Sequence, residues 1–152
     1  MNLELEKQLI DKYPKIFEVR PGTEIMPYPM FGIECSDGWY NLLDSLCFQI
    51  QSHIDWRENV IDRNKKEDPE GQINQKLLLD YIPQVVVTQI KEKFGTLRFY
   101  YDGGDEKIDG MVTMAEALSA VTCETCGNAG KIRGEFWYYT ACDLHTKEQD
   151  LD

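Results

Sequence analysis

No apolar run in this chain approaches the roughly eighteen residues that a membrane span requires, so no membrane partner is expected. The first residues, Met1-Asn-Leu-Glu-Leu-Glu-Lys7, put acids where a secretion signal needs bases and then an apolar stretch. A cytoplasmic protein is therefore expected. Positive charge is scarce: 16 Lys and Arg stand against 27 Asp and Glu, a net charge of −11. Such a chain is repelled by phosphate backbones at long range, and direct nucleic-acid binding is not expected. The acidity leaves room for a DNA mimic, although most acidic chains are simply well solvated. The enzyme signatures G-x-S-x-G, H-E-x-x-H and the phosphate-binding loop are missing. So is the H-x-E order of zinc deaminases. There are no internal repeats and no low-complexity tract. Disulfide spacing is also lacking. Three of the five cysteines fall in one compact pattern, which fits a reducing compartment better than a disulfide framework.

That pattern is Cys123-x-x-Cys126, then residues 127–141, then Cys142-x-x-His145. Two ligands three apart grip one ion from a tight turn, and a second pair completes a tetrahedron. The expected cofactor is one structural zinc on Cys123, Cys126, Cys142 and His145. With four protein ligands the shell is closed and no position remains for an activated water. Gly127 follows the second cysteine, where such a knuckle commonly turns through positive φ. Between the pairs, Lys131–Arg133 and Phe136–Thr140 can form two short strands around Gly134-Glu135. The order of knuckle, hairpin and a turn leading into a last short helix resembles a treble-clef zinc finger. Zinc modules that bind DNA are usually basic; here Lys131, Arg133 and Lys147 face Glu124, Glu135, Asp143 and Glu148.

The rest of the chain predicts an α+β fold. Leu3, Leu5, Leu9, Ile10 and Tyr13 suggest a short amphipathic helix over 3–13, stopped by Pro14, with Ile16 and Phe17 docking its end. Arg20–Pro29 reads as an extended connector and 31–35 as a short strand. Ser36-Asp37-Gly38 is a turn and N-cap signal. Trp39, Leu42, Leu43, Leu46, Cys47, Ile50, His53 and Ile54 follow at helical spacing, predicting a helix over 38–60. Cys47 reads as a core residue and His53 as a packed or surface histidine. A charged loop is expected over 62–75, then a short helix or strand approach to Ile82, ended by Pro83. The β-branched and aromatic run 85–101 predicts a hairpin with Phe94-Gly95 at its tip. Asp105 is a plausible N-cap for a second amphipathic helix over 106–122, which runs into the knuckle. The expected architecture is a small antiparallel sheet packed by the helices at 38–60 and 106–122, with residues 1–122 as the α+β domain and 123–152 as the finger. Trp39, Leu42, Leu43, Leu46 and Ile50 should be buried against Ile90, Leu97 and Phe99.

The predicted hairpin opposes Ile90 to Phe99, Lys91 to Arg98 and Glu92 to Leu97, with Lys93 on the same face as Lys91 and Gln89 opposite Tyr100. Like charges directly opposed on a sheet are mildly destabilising. Either nearby carboxylates or solvent neutralise them, or Lys91, Lys93, Arg98 and Tyr100 form an anion-binding face suited to a phosphorylated small molecule or an acidic partner.

Three blocks, Phe31-Gly-Ile-Glu-Cys-Ser-Asp-Gly-Trp-Tyr40, Lys91-Glu-Lys-Phe-Gly-Thr-Leu-Arg-Phe-Tyr-Tyr101 and Cys123-x-x-Cys-Gly … Trp137 … Cys142-x-x-His145, together resemble an uncharacterised family of small proteins carried by bacteriophages and prophages. The resemblance implies an accessory role in the cytoplasm of a bacterial host: non-enzymatic binding, and inhibition, of a host defence protein. It supplies no catalytic residues. The alternatives are a sponge that sequesters a nucleotide or other phosphorylated signal, and a DNA mimic or nucleic-acid-associated zinc module. The sequence leaves the oligomeric state open.

Overall fold

The computed structural model describes residues 1–19, 32–67 and 81–147. The expected connector at Arg20–Pro29, most of the expected 62–75 loop, the stretch from Lys76 to residue 80 and the last residues from Glu148 lie outside them.

The first helix, α1, spans Leu3–Lys12. Asn2 caps it, its Oδ1 accepting from the amides of Glu4 and Leu5 at 3.1 and 3.0 Å. The same asparagine donates its backbone and side-chain N–H groups to the Asp37 carboxylate at 2.7 and 2.8 Å, tying the start of α1 to the turn that opens the next helix. Those bonds hold the Asp37 carboxyl below its ordinary range. Ile16 and Phe17 are buried, as expected.

A 3₁₀ turn, Asp37–Trp39, leads into α2, Tyr40–Glu67. The cap expected at Ser36 makes no side-chain hydrogen bond. The helix also runs past residue 60, and the segment 62–67 expected as loop is helical. Ile61 is buried and continues the apolar stripe, while Lys65 and Lys66 in the last turn suit the negative end of the helix dipole. Arg, Lys and Glu are good helix formers, so a charged segment was a poor loop signal here.

The hairpin forms as predicted. Strand β2, Val86–Lys93, pairs antiparallel with β3, Thr96–Asp102, in the expected register, including Lys91 opposite Arg98. Phe94 and Gly95 both have positive φ, 55° and 79°, as a two-residue hairpin turn of the primed type requires. A register shift lies between Val87 and Gln89. The sheet is mixed rather than antiparallel. The two-residue strand β1, Ile33–Glu34, lies parallel to β2, pairing Ile33 with Ile90 and Glu34 with Lys91. Parallel strands need a long crossover, and the connection that carries α2 supplies it.

Helix α3 spans Glu106–Ser119, with Asp105 Oδ1 accepting from the Ile108 amide at 3.1 Å. The described residues therefore hold three α-helices, at the places where helices over 3–13, 38–60 and 106–122 were expected, the last ending three residues early at Ser119. The inward residues Leu9, Trp39, Leu43, Leu46, Cys47, Ile50, Ile90, Leu97 and Phe99 form one buried cluster, and Leu42 is half-buried against it. In the C-terminal part, β4, Lys131–Arg133, pairs antiparallel with β5, Tyr139–Ala141. A 3₁₀ turn follows at Asp143–His145. No described helix is long and apolar enough to cross a membrane.

Candidate metal centre and its flanking faces

Cys123 and Cys126 sit in a knuckle directly after α3. The Gly127 amide donates to the Cys123 carbonyl at 2.8 Å and the Cys123 amide to the Asn128 carbonyl at 2.7 Å. Gly127 has φ 78°, a conformation an L-residue rarely adopts, and this turns the chain back. Strand β5 delivers Cys142, and the following 3₁₀ turn brings His145 round, its amide donating to the Cys142 carbonyl at 3.1 Å.

The four ligand atoms meet. Cys142 Sγ lies 3.2 Å and Cys123 Sγ 3.6 Å from His145 Nδ1, and Cys126 Sγ lies 3.8 Å from Cys142 Sγ. All four fall within 4.8 Å of one another. A tetrahedral centre with thiolate and imidazole ligands has edges of roughly 3.6–3.8 Å, so the cluster can hold a metal ion. Burial opposes ionisation of Cys123, but the backbone amides of Cys142, Cys126 and Thr125 outweigh it and bring the thiol down to about 6. At Cys126 the Asn128 amide favours the thiolate, yet desolvation and the sulfurs of Cys123 and Cys142 push the thiol up. One thiolate thus forms readily and resists the next. A cation among them removes that conflict. The two remaining cysteines stand apart in the core: burial pushes Cys35 up to about 12 and Cys47 higher still.

The knuckle is fastened to the start of α2. Glu124 accepts twice, its carbonyl from the Gly38 amide at 2.8 Å and its Oε1 from the Ser36 amide at 2.9 Å. The buried Trp39 indole donates to the Thr122 carbonyl at 2.8 Å. A Cβ on Gly38 would stand 2.3 Å from the Cys123 carbonyl oxygen and 2.5 Å from the Gly127 nitrogen. The tip of the β2–β3 hairpin braces the other side, where Thr140 Oγ1 donates to the Gly95 carbonyl at 2.5 Å. Sequence reasoning missed Gly38 and Glu124 as supports of the centre, because their partners lie far along the chain.

Two faces flank this frame. The β4–β5 turn, bent at Gly134 with φ 87°, carries Phe136 and Trp137 into solvent, 96% and 75% exposed. The second face is the outer side of the hairpin, where the structure brings Lys91, Lys93, Arg98 and Tyr100 together. Lys91 Nζ lies 5.5 Å from the centre of the Tyr100 ring. Arg98 Nη1 is turned back to donate to Thr96 Oγ1 and the Leu97 carbonyl, both at 2.7 Å. Among the described residues no carboxylate lies within ion-pair distance of these cations. Glu34, however, is the register neighbour of Lys91 and accepts from Gln89 Nε2 at 3.2 Å. Gln89 is therefore engaged, and the face carries one acid that the hairpin alone did not reveal. His53 is not part of either face; its Nε2 lies 2.9 Å from Asp105 Oδ2 at the start of α3.

Comparison with protein-family models, curated proteins and solved structures gives no match to this chain.

Proposed function

We propose that this chain is a non-enzymatic, zinc-stabilised binding protein that grips a protein partner through the Phe136-Trp137 turn. Three cysteine sulfurs and one imidazole nitrogen within 4.8 Å of one another are the donor set of a structural zinc. Residues Cys123, Cys126, Cys142 and His145 would hold it, and the knuckle, hairpin and closing turn support a treble-clef-like finger. A bound ion would supply charge neutralisation and a cross-link there, joining the knuckle after α3 to the end of β5. The observation that carries the reading is a fully exposed Phe beside an exposed Trp on the turn between the paired strands β4 and β5. Aromatic anchors of this kind dominate protein–protein binding energy, and a net charge of −11 disfavours nucleic acid and anionic lipid. Taken with the resemblance to phage and prophage proteins, the partner is a host protein in the bacterial cytoplasm, and its inhibition is the phage's gain.

The test is a double substitution, Phe136→Ala with Trp137→Ala, in protein purified from its host. Both rings are exposed, so zinc content and melting temperature should not change. Hot-spot aromatics each contribute on the order of 2 kcal/mol or more, so the co-purifying partner should be lost. Retention of the partner by the double variant overturns the reading.

A second reading rests on the cations opposed across β2 and β3. In it Lys91, Lys93, Arg98 and Tyr100 hold a nucleotide-like phosphorylated signal, with the base stacked on the ring and the phosphate bridging Lys91 and Arg98. Arg98→Glu should abolish that binding and leave the fold intact, since Glu would face Lys91 favourably. Native mass spectrometry separates the two: a bound protein supports the first, and a small phosphorylated mass lost on Arg98→Glu supports the second.

A further inference from the structure

Helix α3 carries two apolar stripes, and among the described residues only one of them is buried. Ile108, Val112, Ala115 and Ser119 are buried against the sheet and α2. On the other side, Met111, Met114 and Leu118 stand three and four apart, the seam spacing of packed helices, and Val121 follows just past the last helical residue, Ser119. Met111 is half-buried against the core, while Met114 and Leu118 face outward at 63% and 46% exposure. Beside them, Leu42 and Leu46 of α2 complete a groove of about 510 Å³. A helix that is apolar on both sides is ordinarily covered on both.

Gly110 adds a second, independent observation. It lies in the helix interior, where Gly is roughly 1 kcal/mol less favourable than Ala. Its φ is not positive, and a Cβ built on it meets nothing within 4 Å. Neither its backbone nor its own chain requires a glycine, yet it lies on the groove wall. What a missing side chain permits there is close approach of something from outside. Charge narrows the choice. In a chain with 27 acidic residues, no carboxylate lines the groove among the described residues, and Lys107 is the one charged lining residue among them. Depletion of charge is the mark of an interface core. The pattern is also self-complementary. Turned antiparallel about a twofold axis at Met114, α3 sets Gly110 of one copy beside Leu118 of the other at both ends of the crossing. The bulky residue then meets the missing side chain.

We propose that the α2–α3 groove is an isologous interface that takes a second copy of this chain, with α3 crossing α3 of the other copy at Met114. Closed twofold dimers are the commonest oligomers. This inference stands apart from the partner-binding reading, because it uses a different face.

Sedimentation equilibrium of the full-length, metal-loaded protein over a dilution series tests it. The expected mass at high concentration is twice the 17.7 kDa of the chain, falling toward the single mass on dilution. Because two strongly acidic copies repel one another, added salt should strengthen the association, where an interface built on ion pairs would weaken. Leu118→Lys should give a monomer with an unchanged circular dichroism spectrum. Gly110→Ala should raise the melting temperature at monomeric concentrations and yet weaken association about tenfold. Met114→Cys should cross-link copies to each other under mild oxidation. A wild-type mass of one chain at every concentration overturns the proposal, as does a dimer that survives Leu118→Lys. A monomer that instead seats an amphipathic helix of another protein in the groove overturns it as well.

Discussion

At Gly38 the fold has room for a hydrogen and nothing more. A Cβ there would be 2.3 Å from the Cys123 carbonyl oxygen, and backbone on both sides cannot yield as a flexible side chain can. Gly38→Ala should therefore destabilise by about 1–3 kcal/mol, the range of overpacking, seen as a lower denaturant midpoint with an unchanged slope. Asp105 shows the opposite case, a carboxylate that the fold wants charged. Burial works against the charge, but the hydrogen bonds from His53 and from the Ile108 amide prevail, and its pKa is held below 3.8. A carboxylate whose pKa is depressed on folding contributes stability above its unfolded value, and that contribution is lost as pH falls through the folded value. Acid titration of stability should thus show a loss below about pH 4 that Asp105→Asn reduces, the part due to Asp37 remaining. At neutral pH Asp105→Ala should cost about 1 kcal/mol, as lost caps do. Asp105 could be read as a cap from its place after Gly103-Gly104. Its histidine could not, since His53 lies 52 residues away.

Elements that rest on local pattern were legible, and those that rest on long-range pairing were not. The Phe94-Gly95 hairpin follows from turn chemistry and β propensity, and its register came out residue for residue around the tip. The start of α2 and the identity of its buried stripe follow from period, with Leu43, Leu46, Cys47, Ile50 and Ile54 all buried. Its end did not, because a charged solvent-facing turn of helix and a charged loop have the same composition. Strand β1 falls within the short strand expected over 31–35, shortened to two residues, but its parallel pairing with β2 depends on the α2 crossover and could not be read locally. This matters at the hairpin face, where β1 sets Glu34 next to Lys91. Leu46 tests whether the stripe contributes as its burial implies. It is 4% exposed, and Leu46→Ala should cost about 2–5 kcal/mol. A loss below about half a kcal/mol in equilibrium unfolding would show that α2 turns another face to the sheet.

For the whole molecule, the question is whether the metal segment is an appendage or a joint. Spacing alone pointed to the four residues that cluster, because a metal site compresses its information into a few residues of fixed chemistry. Spacing said nothing of what the site is joined to. The bonds from Ser36, Gly38 and Trp39 to Glu124 and Thr122 make the knuckle the seat of the α2 N-terminus, and the contact of Thr140 with Gly95 makes β5 a stop for the hairpin tip. Structural zinc contributes on the order of 10–16 kcal/mol at such sites, more than the roughly 5–15 kcal/mol of net stability that a domain of this size retains. Without a cation the knuckle that seats the buried Trp39 has no cross-link to the end of β5. Chelation should therefore loosen the core as well as the C-terminal segment. Hydrogen exchange with peptide resolution distinguishes the two outcomes. If the segment is a joint, amides over 36–47 and 90–99 lose protection together with 123–145 when the metal is withdrawn, and recover when it is returned. If only 123–145 changes and the thermal midpoint of the remainder holds, the segment folds on a core that does not need it. In that case Gly38 would matter for docking alone, and Gly38→Ala should lose its effect in the chelated protein.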